Sequence, residues 1–526
     1  MVSKHKPYYF RPEYLKNVPI YRFRREPGQS EEIDLEQYPQ FDIWRENGTV
    51  ISVCHYDTTI FFQKEINFAM KTTAKKTKLF VRISGRKEAA IAETLTFFMA
   101  LKHPEEYTCF EISIRHVDKF DLRAIQPEQL AQILDANPSR KVHFADGIFN
   151  AEQSVILATR PYPLDWELPM KHFRFEDDGT AFVDALEKRR SSFGSLCINC
   201  HKDDIHFTRS NLERLLNLDV LQKLKLNYLE EDLVLLPLSA KVNALDYCID
   251  FEHIQPNAFD SLNIPAKDLT LEFYLDDFPA WSWDAPLISL LNRIADLGHF
   301  EKLTLSVDHW NHRPERMSID KMARVADALI RAIQSNPNLQ YLNLKDTEDR
   351  YDWDPHMQDV FKAMEEHKGL RTFVLRFYPF LEDRKYSWLQ SLLSRNRQIT
   401  VIDLCDRKCS NGPIIDKLYR LNAIYNGLAS LRAESVSLRP LLVAEALVNQ
   451  AKGNLPQAAL LLSNHTDTLC EFIHSLNLNH IVASIESSME ETLSGAVAES
   501  GGSLKRKGTT QLSLVATKAS RTSTKL

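Results

Sequence analysis

Residues 330–344 read IRAIQSNPNLQYLNL, and the order of elements in this stretch decides the fold. The spacing of apolar residues predicts an amphipathic helix that ends in an Asn-Pro turn at Asn336 and is followed by a short strand. Residues 131–144, AQILDANPSRKVHF, repeat this order with Asn137 in the equivalent place. Further stretches keep the order while exchanging the turn residues: 97–112, 361–375 and 389–404. The recurrence predicts a protein built from one repeated helix–turn–strand unit.

The strand of each unit follows the pattern apolar-x-x-apolar-x-apolar. The middle apolar residues serve as markers of the repeat: Leu196, Leu224, Leu245, Leu269, Leu303, Leu342, Phe373 and Ile402. One strand and one helix cannot bury their own apolar faces, so we expect successive units to stack and share a core. The steps on either side of Leu245 are the shortest, and we expect no full helix there.

Residues 173–198 place a strand, a turn glycine, a helix and the next strand at the following positions: Phe173, Phe175, Gly179, Phe182, Leu186, Leu196 and Ile198. This unit resembles the ribonuclease-inhibitor-like branch of the leucine-rich-repeat family. The resemblance implies an α/β solenoid, or horseshoe, with parallel strands on the concave face, helices on the convex face and a C-terminal helical cap. A doubly wound α/β sheet is the competing interpretation, because both folds alternate strands and helices.

The resemblance does not extend to every position of the family's repeat. The family places an asparagine three residues after the last strand leucine, and other residues occupy that place here: His201, Thr347, Tyr378 and Arg407. The family's hydrogen-bonded asparagine ladder is therefore not implied for this chain.

Changes in pattern divide the chain into four predicted segments. They are an N-terminal cap or irregular segment at 1–74, degenerate repeats at 75–412, a helical C-terminal cap at 413–490, and a disordered, basic, Ser/Thr-rich tail at 491–526. The tail contains the cluster KRK starting at Lys505, which fits either a solvated tail or a nuclear-import signal.

The composition indicates a soluble globular protein with no strong electrostatic preference. With 65 Lys and Arg against 71 Asp and Glu, the net charge is −6, and nucleic acid is not the expected partner. We find no signal peptide and no apolar run of roughly 18 residues or more, so we expect no membrane span. The eight cysteines are too scattered for a disulfide framework, and we expect an intracellular protein, cytoplasmic or nuclear.

Motifs for nucleotide binding and hydrolysis do not occur, so we expect no enzyme activity, no catalytic residue and no cofactor. Cys197, Cys200 and His201 spell C-x-x-C-H, which in an exported chain indicates covalent haem attachment, whereas a zinc site would need further ligands. His309 and His312 could bind a metal, but solvated loop histidines are the commoner case. We therefore expect no metal site.

The loops after four successive C-terminal strands are rich in aromatic and acidic residues. The candidate partner-binding residues are Asp277, Trp281, His309, Trp310, Tyr351, Tyr378 and Phe380. Stacked repeats bring equivalent loops side by side, and Trp and Tyr are enriched where interfaces carry binding energy. Helix capping is the alternative interpretation for Trp283 and Trp353, because each precedes an Asp that can begin a helix.

The sequence thus predicts a non-catalytic scaffold that binds an unidentified protein through the concave face and the strand–helix loops. One alternative is a regulator similar to the repeat-built activators of small GTPases, although no single arginine stands out for that role. The other is a substrate adaptor of a ubiquitin ligase, although residues 1–70 lack the leucine- and proline-rich helical box of such adaptors.

Overall fold

The computed structural model describes only part of the chain. The described residues are 2–4, 20–23, 26, 28, 41–54, 64–71, 79–101, 109–113, 120–138, 141–144, 146–169, 173–199, 206–227, 229, 232–250, 254–275, 284–309, 319–346, 354–380, 382–433 and 470. The chain divides into two compact units, Met1–Ala423 and Ile424–Leu526, and the fold and surfaces below belong to the first. Of the second unit, residues 424–433 and Cys470 are described, and both are helical.

Strands dominate the first unit. In chain order they are β1 (Val2–Lys4), β2 (Ile20–Phe23), β3 (Phe41–Trp44), β4 (Val50–Cys54), β5 (Glu65–Lys71), β6 (Leu79–Ser84), β7 (Cys109–Ser113), β8 (Lys141–Phe144), β9 (Gly147–Phe149), β10 (Leu164–Leu168), β11 (Phe173–Phe175), β12 (Gly194–Ile198), β13 (Leu221–Leu226), β14 (Ala244–Asp250), β15 (Asp268–Leu275), β16 (Lys302–His309), β17 (Tyr341–Asp346), β18 (Thr372–Leu375) and β19 (Thr400–Ile402). All except β9 and β11, which pair with each other, join one 17-stranded sheet among the described residues.

Helices connect most of the later strands. They are α1 (Glu88–Met99), α2 (Pro127–Ala136), α3 (Ala151–Ala158), α4 (Thr180–Glu187), α5 (Arg209–Leu216), α6 (Asp284–Leu297), α7 (Ile319–Ser335), α8 (Asp354–Glu365), α9 (Ser387–Arg395) and α10 (Pro413–Ala433). Helices α1 to α5 contact one another in order, as do α6 to α9. The first unit is therefore an α/β structure in which a row of helices accompanies a long sheet.

The parallel part of the sheet follows the order of the chain. From β7 through β8, β10 and β12 to β19, each strand pairs in parallel with the next. A doubly wound sheet reverses its strand order at a switch point, and this succession does not. The recurrent strand–helix unit predicted from the sequence is thus present as a long parallel sheet.

The predicted register is confirmed for all but the last strand. The markers lie opposite one another in sequence from strand to strand: Leu196, Leu224, Leu245, Leu269, Leu303, Leu342 and Phe373. The final marker, Ile402, is wrong by one residue, because Phe373 lies opposite Val401. Val401 is fully buried and Ile402 is partly exposed, so in this short strand burial selects Val401 for the core side.

Alternation along each strand places the core on the side of the helices. In β13, Leu224 and Leu226 are buried whereas Lys223 and Lys225 are exposed. The apolar residues that the helical spacing places on one side of α7 are buried at Met322, Val325, Ala326, Leu329 and Ile333, and Ile330 is half-buried. Each fully buried side chain of this size contributes about 1.5–3 kcal/mol, so the shared core stabilises neighbouring units together.

The two short repeats contain no full helix, as expected. The chain between β13 and β14 forms the 3-10 helix Leu236–Ser239, and that between β14 and β15 forms Pro256–Phe259. Leu238 and Phe259 are both fully buried and fill the core positions that longer helices supply elsewhere. These connections thus keep the strands in register with fewer residues than a full helix needs.

The N-terminal strands pair differently from the repeats. Strands β3, β4, β6, β5 and β7 are antiparallel neighbours in that order, and the parallel succession starts where β7 meets β8. Their core is a row of fully buried isoleucines: Ile43, Ile51, Ile83 and Ile66. The predicted N-terminal cap at 1–74 stays a prediction, and most of the predicted cap at 413–490 and all of the tail at 491–526 lie outside the described residues.

The Asn-Pro turns contain side chains that join neighbouring units. The Asn137 side-chain amide donates a hydrogen bond to the carbonyl of Leu101, 2.9 Å away, at the end of α1. Asn336 is 1% exposed, and its amide donates to the carbonyl of Ile294 in α6 over 3.1 Å. Its side-chain oxygen accepts from the backbone N–H of Phe300 at 3.0 Å. The recurrent Asn-Pro turns thus correspond to hydrogen bonds between units, which are buried at Asn336 and part-buried at Asn137.

Two further turns continue this arrangement with other residue types. The His367 ring nitrogen Nε2 lies 3.0 Å from the carbonyl oxygen of Asn336. The Asn396 amide donates to the carbonyls of Met364 and His367, each at 2.9 Å. Among the described residues, these helix–strand turns therefore carry a series of polar side chains that joins neighbouring units.

The last strand has its outer edge occupied. The Tyr419 hydroxyl of α10 accepts from the N–H of Val401 at 3.3 Å and donates to its carbonyl at 3.1 Å. The N–H of Cys409 also donates to the Val401 carbonyl, and Lys408 forms an isolated antiparallel bridge with Ile402. The backbone of β19 thus has local partners on the side away from β18.

Candidate partner-binding surfaces

Most of the predicted binding residues fall outside the described part of the chain. These are Asp277, Trp281, Trp310 and Tyr351, together with the motif residues Cys200, His201 and His312 and the possible capping residues Trp283 and Trp353. His309 ends β16, but its side chain is not described. Tyr378 and Phe380 are described and lie in the loop after β18, at the C-terminal end of the predicted loop surface.

Tyr378 is anchored within the protein. Its ring stacks on Phe361 of α8 at 5.6 Å and meets Tyr386 edge-on at 5.0 Å. Its hydroxyl donates to the carboxylate of Asp383, and burial raises the pKa of Tyr378 well above its usual value. Phe380 packs edge-on against Tyr378 at 5.4 Å. Both aromatic side chains thus hold the loop after β18 in place, and their predicted binding role stays a prediction.

Asp383 organises the loop from inside. It is 1% exposed, and its carboxylate accepts from the N–H and hydroxyl of Ser387 at 2.6 and 2.7 Å and from the N–H of Trp388 at 3.0 Å. These donors include the first backbone N–H groups of α9, which have no partner within the helix. The loop between β18 and α9 is therefore fixed by a buried carboxylate that the sequence analysis did not single out.

Sequence reasoning also missed Phe377, the neighbour of Tyr378. Its side chain is 60% exposed, and the Arg376 guanidinium lies 5.0 Å from the centre of its ring. In the following loop Leu404 is 44% exposed. The sequence FYPF at 377–380 indicates an aromatic loop. Only the packing of Tyr378 and Phe380 against the protein shows that Phe377 is the exposed ring.

The second candidate surface is the side of the sheet opposite the core, which we call the polar face. In one register row it carries His143, Glu167, Cys197, Lys225, Asp246, Thr270, Thr304 and Asn343. In the next row it carries Asp165, Ser195, Lys223, Ala244, Asp268, Lys302, Tyr341, Thr372 and Thr400. These side chains are partly or fully exposed. The first row ends at Asn343, because Val374, its neighbour in β18, is buried.

Charges on the polar face are paired across neighbouring strands. Lys225 lies 3.3 Å from Asp246, and Lys302 lies 2.6 Å from Asp268. Burial lowers the pKa of Lys225, but the Asp246 carboxylate outweighs it and the net shift is upward. Lys225 is therefore a cation across the physiological range. Such partly exposed pairs contribute at most about 1 kcal/mol to stability. Their main effect is the pattern of charge that they give to the polar face.

The polar face also contains hydrogen-bonding groups between the charged pairs. The Asn199 amide donates to Glu167 at 3.0 Å, and His143 lies 3.8 Å from the other oxygen of that carboxylate. Among the residues that the structure describes, no group of three or more His, Cys, Asp or Glu is placed to hold a metal ion. This face therefore presents charged and hydrogen-bonding side chains.

Comparisons with known proteins find distant likenesses among solved structures. No protein-family model matches the chain, and no curated protein does. Among solved structures the chain is similar to the leucine-rich repeat-containing protein LegL7 from Legionella pneumophila, at 14% identity and a TM-score of 0.32. That likeness covers 52% of this chain and 96% of the other. Within the described residues, no helix has both the length and the apolar character needed to cross a bilayer.

Proposed function

We propose that this chain is a degenerate leucine-rich-repeat solenoid of the ribonuclease-inhibitor-like kind that binds a partner protein without catalysing a reaction. In the proposed horseshoe, the parallel strands line the concave face, the helices form the convex face, and residues 413–490 cap the last repeat. The succession of parallel strands in chain order supports this architecture, since each unit contributes one strand to the sheet and relies on its neighbours for a core.

The exposed polar face is the observation that carries the proposed function. Parallel sheets in ordinary α/β proteins have helices on both faces and bury both. Here the face opposite the core presents charged and hydrogen-bonding side chains in register, from Asp165 in β10 to Thr400 in β19. A polar, charged surface of this extent suits a macromolecular partner better than a small ligand, which needs an enclosed pocket.

Affinity capture with matched variants tests this function. The double variant Asp165→Lys with Lys223→Glu reverses two exposed charges of the polar face and leaves the net charge unchanged. The control variant Glu128→Lys with Lys188→Glu makes the same exchange at exposed positions of the helix layer. We expect the same protein to be captured by the wild type and the control and lost with the polar-face variant. Equal capture by all three chains contradicts the proposal.

The identity of the captured protein separates the alternatives. A small GTPase among the specific partners favours an activator built on repeats, and ubiquitin-ligase subunits favour a substrate adaptor. Absence of catalysis is tested by incubating the purified chain with nucleoside triphosphates, where turnover above the blank contradicts a purely binding role. We also infer an intracellular, cytoplasmic or nuclear, location, supported by the eight cysteines, which are too scattered along the sequence for a disulfide framework.

A further inference from the structure

A buried histidine connects three successive units. His367 lies in the turn after α8 and is 8% exposed. Its ring nitrogen Nε2 lies 3.0 Å from the carbonyl oxygen of Asn336, in the turn after α7. The backbone N–H of Leu370 donates to the other ring nitrogen, Nδ1, over 3.0 Å. The backbone carbonyl of His367 accepts from the side-chain amide of Asn396, in the turn after α9. Both ring nitrogens therefore have partners at this contact between units, which we call the His367 junction.

The partners of the ring determine its charge state. The Leu370 N–H is a donor, so Nδ1 has to present a lone pair. The Asn336 carbonyl is an acceptor, so Nε2 has to carry a hydrogen. The neutral imidazole with its hydrogen on Nε2 meets both requirements. The imidazolium carries a hydrogen on each nitrogen, and its Nδ1–H would face the Leu370 N–H. Uptake of one proton therefore replaces a hydrogen bond by two opposed donors.

The His367 junction is closely packed. Leu370 and Asn336 are 0% and 1% exposed, so solvent water does not reach them. A Cβ atom added at Gly369 would lie 2.2 Å from the Pro337 carbonyl oxygen and 3.2 Å from the Cε1 atom of the His367 ring. A buried donor that loses its acceptor is costly where water cannot replace the lost bond. Separation of the two turns gives the imidazolium and the Leu370 N–H access to water, so the protonated ring favours the separated state.

The charged groups near the junction give an imidazolium no buried counter-charge. Glu365 pairs with the guanidinium of α9 at 3.1 Å, Glu366 is exposed, and Glu301, one unit earlier, pairs with Lys267 at 3.0 Å. The turn after α7, residues 336–340, contains no charged residue. The other charged residues of the turns after α8 and α9 are cations: Lys368, Arg371, Arg395 and Arg397. The charges of these described turns therefore do not offset the loss of the hydrogen bond.

We propose that His367 makes this junction sensitive to pH: uptake of a proton by the ring opens the contact between the turns after α7 and α8 and loosens the units that follow. The open state binds the proton and the closed state does not. A fall in pH through the range where an exposed histidine titrates, about 6.5, therefore shifts the equilibrium toward the open state. Strands β18 and β19 follow the junction and supply Thr372 and Thr400 to the polar face, so acid acts on that end of the face.

A second turn histidine provides a matched control. His299 follows α6, is half-buried, and its ring stacks on Phe300 with centres 4.4 Å apart. Its Nδ1 lies 3.4 Å from the carbonyl oxygen of Leu297, two residues earlier in the same turn. Because this contact stays within one turn, protonation of His299 breaks no hydrogen bond between units.

Amide hydrogen exchange of the full chain, read by mass spectrometry, tests the inference. Exchange is measured at about pH 7.5 and 5.5 and corrected for the intrinsic rate of each peptide. A histidine that takes up its proton only in the open state raises the open population about tenfold between these two values. We expect this increase in the wild type for the peptides that contain Leu370 and β18.

Substitution of the ring separates His367 from the other histidines. His367→Gln does not titrate, and its amide offers one acceptor and donor hydrogens as the neutral ring does. We expect it to exchange about equally at the two pH values, whereas His299→Gln keeps the wild-type increase. His367→Asn is the second variant, in case His367→Gln does not fold, because its side-chain oxygen can replace Nδ1 as the acceptor. Equal exchange of the wild type at both pH values, an increase that persists in a folded His367 variant, or its loss in His299→Gln overturns the inference.

Discussion

Replacing Asn336 by alanine removes a buried junction between two units. Its side chain accepts from the N–H of Phe300 at 3.0 Å and donates to the carbonyls of Ile294 and Ala332 at 3.1 and 2.7 Å. The Ile294 carbonyl still accepts a hydrogen bond from the Gly298 N–H, so the variant leaves this carbonyl with a partner. The Phe300 N–H loses this acceptor, and an unsatisfied buried donor costs about 1–3 kcal/mol.

With about 0.5–1.5 kcal/mol added for the weakened bonds to the carbonyls, we expect Asn336→Ala to lower the free energy of unfolding by about 1.5–4.5 kcal/mol. Urea denaturation followed by circular dichroism measures this change, and an unchanged slope shows that the exposed area on unfolding is the same. The matched control is Asn217→Ala, because Asn217 is exposed and its amide bonds only within α5's own last turn. We expect a change below about 0.5 kcal/mol there. Equal losses in the two variants would refute a role for the buried ladder.

Other perturbations test separate parts of the fold. Gly194→Ala should destabilise the chain strongly, because φ is +102° and a Cβ would lie 2.3 Å from the Leu164 carbonyl oxygen; a thermal midpoint equal to wild type contradicts this. Asp383→Ala should cost about 2 kcal/mol or more through lost capping of α9, measured by denaturation, and a neutral result removes its organising role. Burial raises the pKa of the Cys409 thiol to about 11, so at pH 8 an alkylating reagent should label the exposed Cys405 first, as read by mass spectrometry. Equal labelling of the native chain contradicts the burial.

The register of the repeats was predictable because one side of each strand is buried. A slip by one residue would move every leucine of a strand to the polar face, so the apolar pattern alone selects the partners from Leu196 to Phe373. The same argument fails at β19, where Val401 and Ile402 are both apolar and adjacent. There the choice depends on what packs against the strand, and neighbouring residues in sequence do not show that.

The candidate surfaces were less accessible to sequence reasoning. The aromatic residues after β18 were recognised in the sequence. Tyr378 packs against Phe361 whereas Phe377 is exposed, and the composition of the loop does not show which ring is buried. Similarly, β4 pairs with β6 although β5 lies between them in sequence, and the local pattern of the strands does not show this order. Long-range pairing and loop packing are decided by tertiary contacts, which local patterns leave open.

A structure that lengthens by one strand per unit needs a terminus, since an uncovered final strand is a template on which another chain can add. Tyr419 and the turn that carries Cys409 satisfy the backbone of Val401, so they act as a stop to that growth. The number of strands is thus limited by these bonds at the last strand as well as by the number of repeats in the sequence. We expect Tyr419→Phe to leave the Val401 N–H without this partner and so to favour end-to-end association, while the Cys409 N–H still bonds to the Val401 carbonyl.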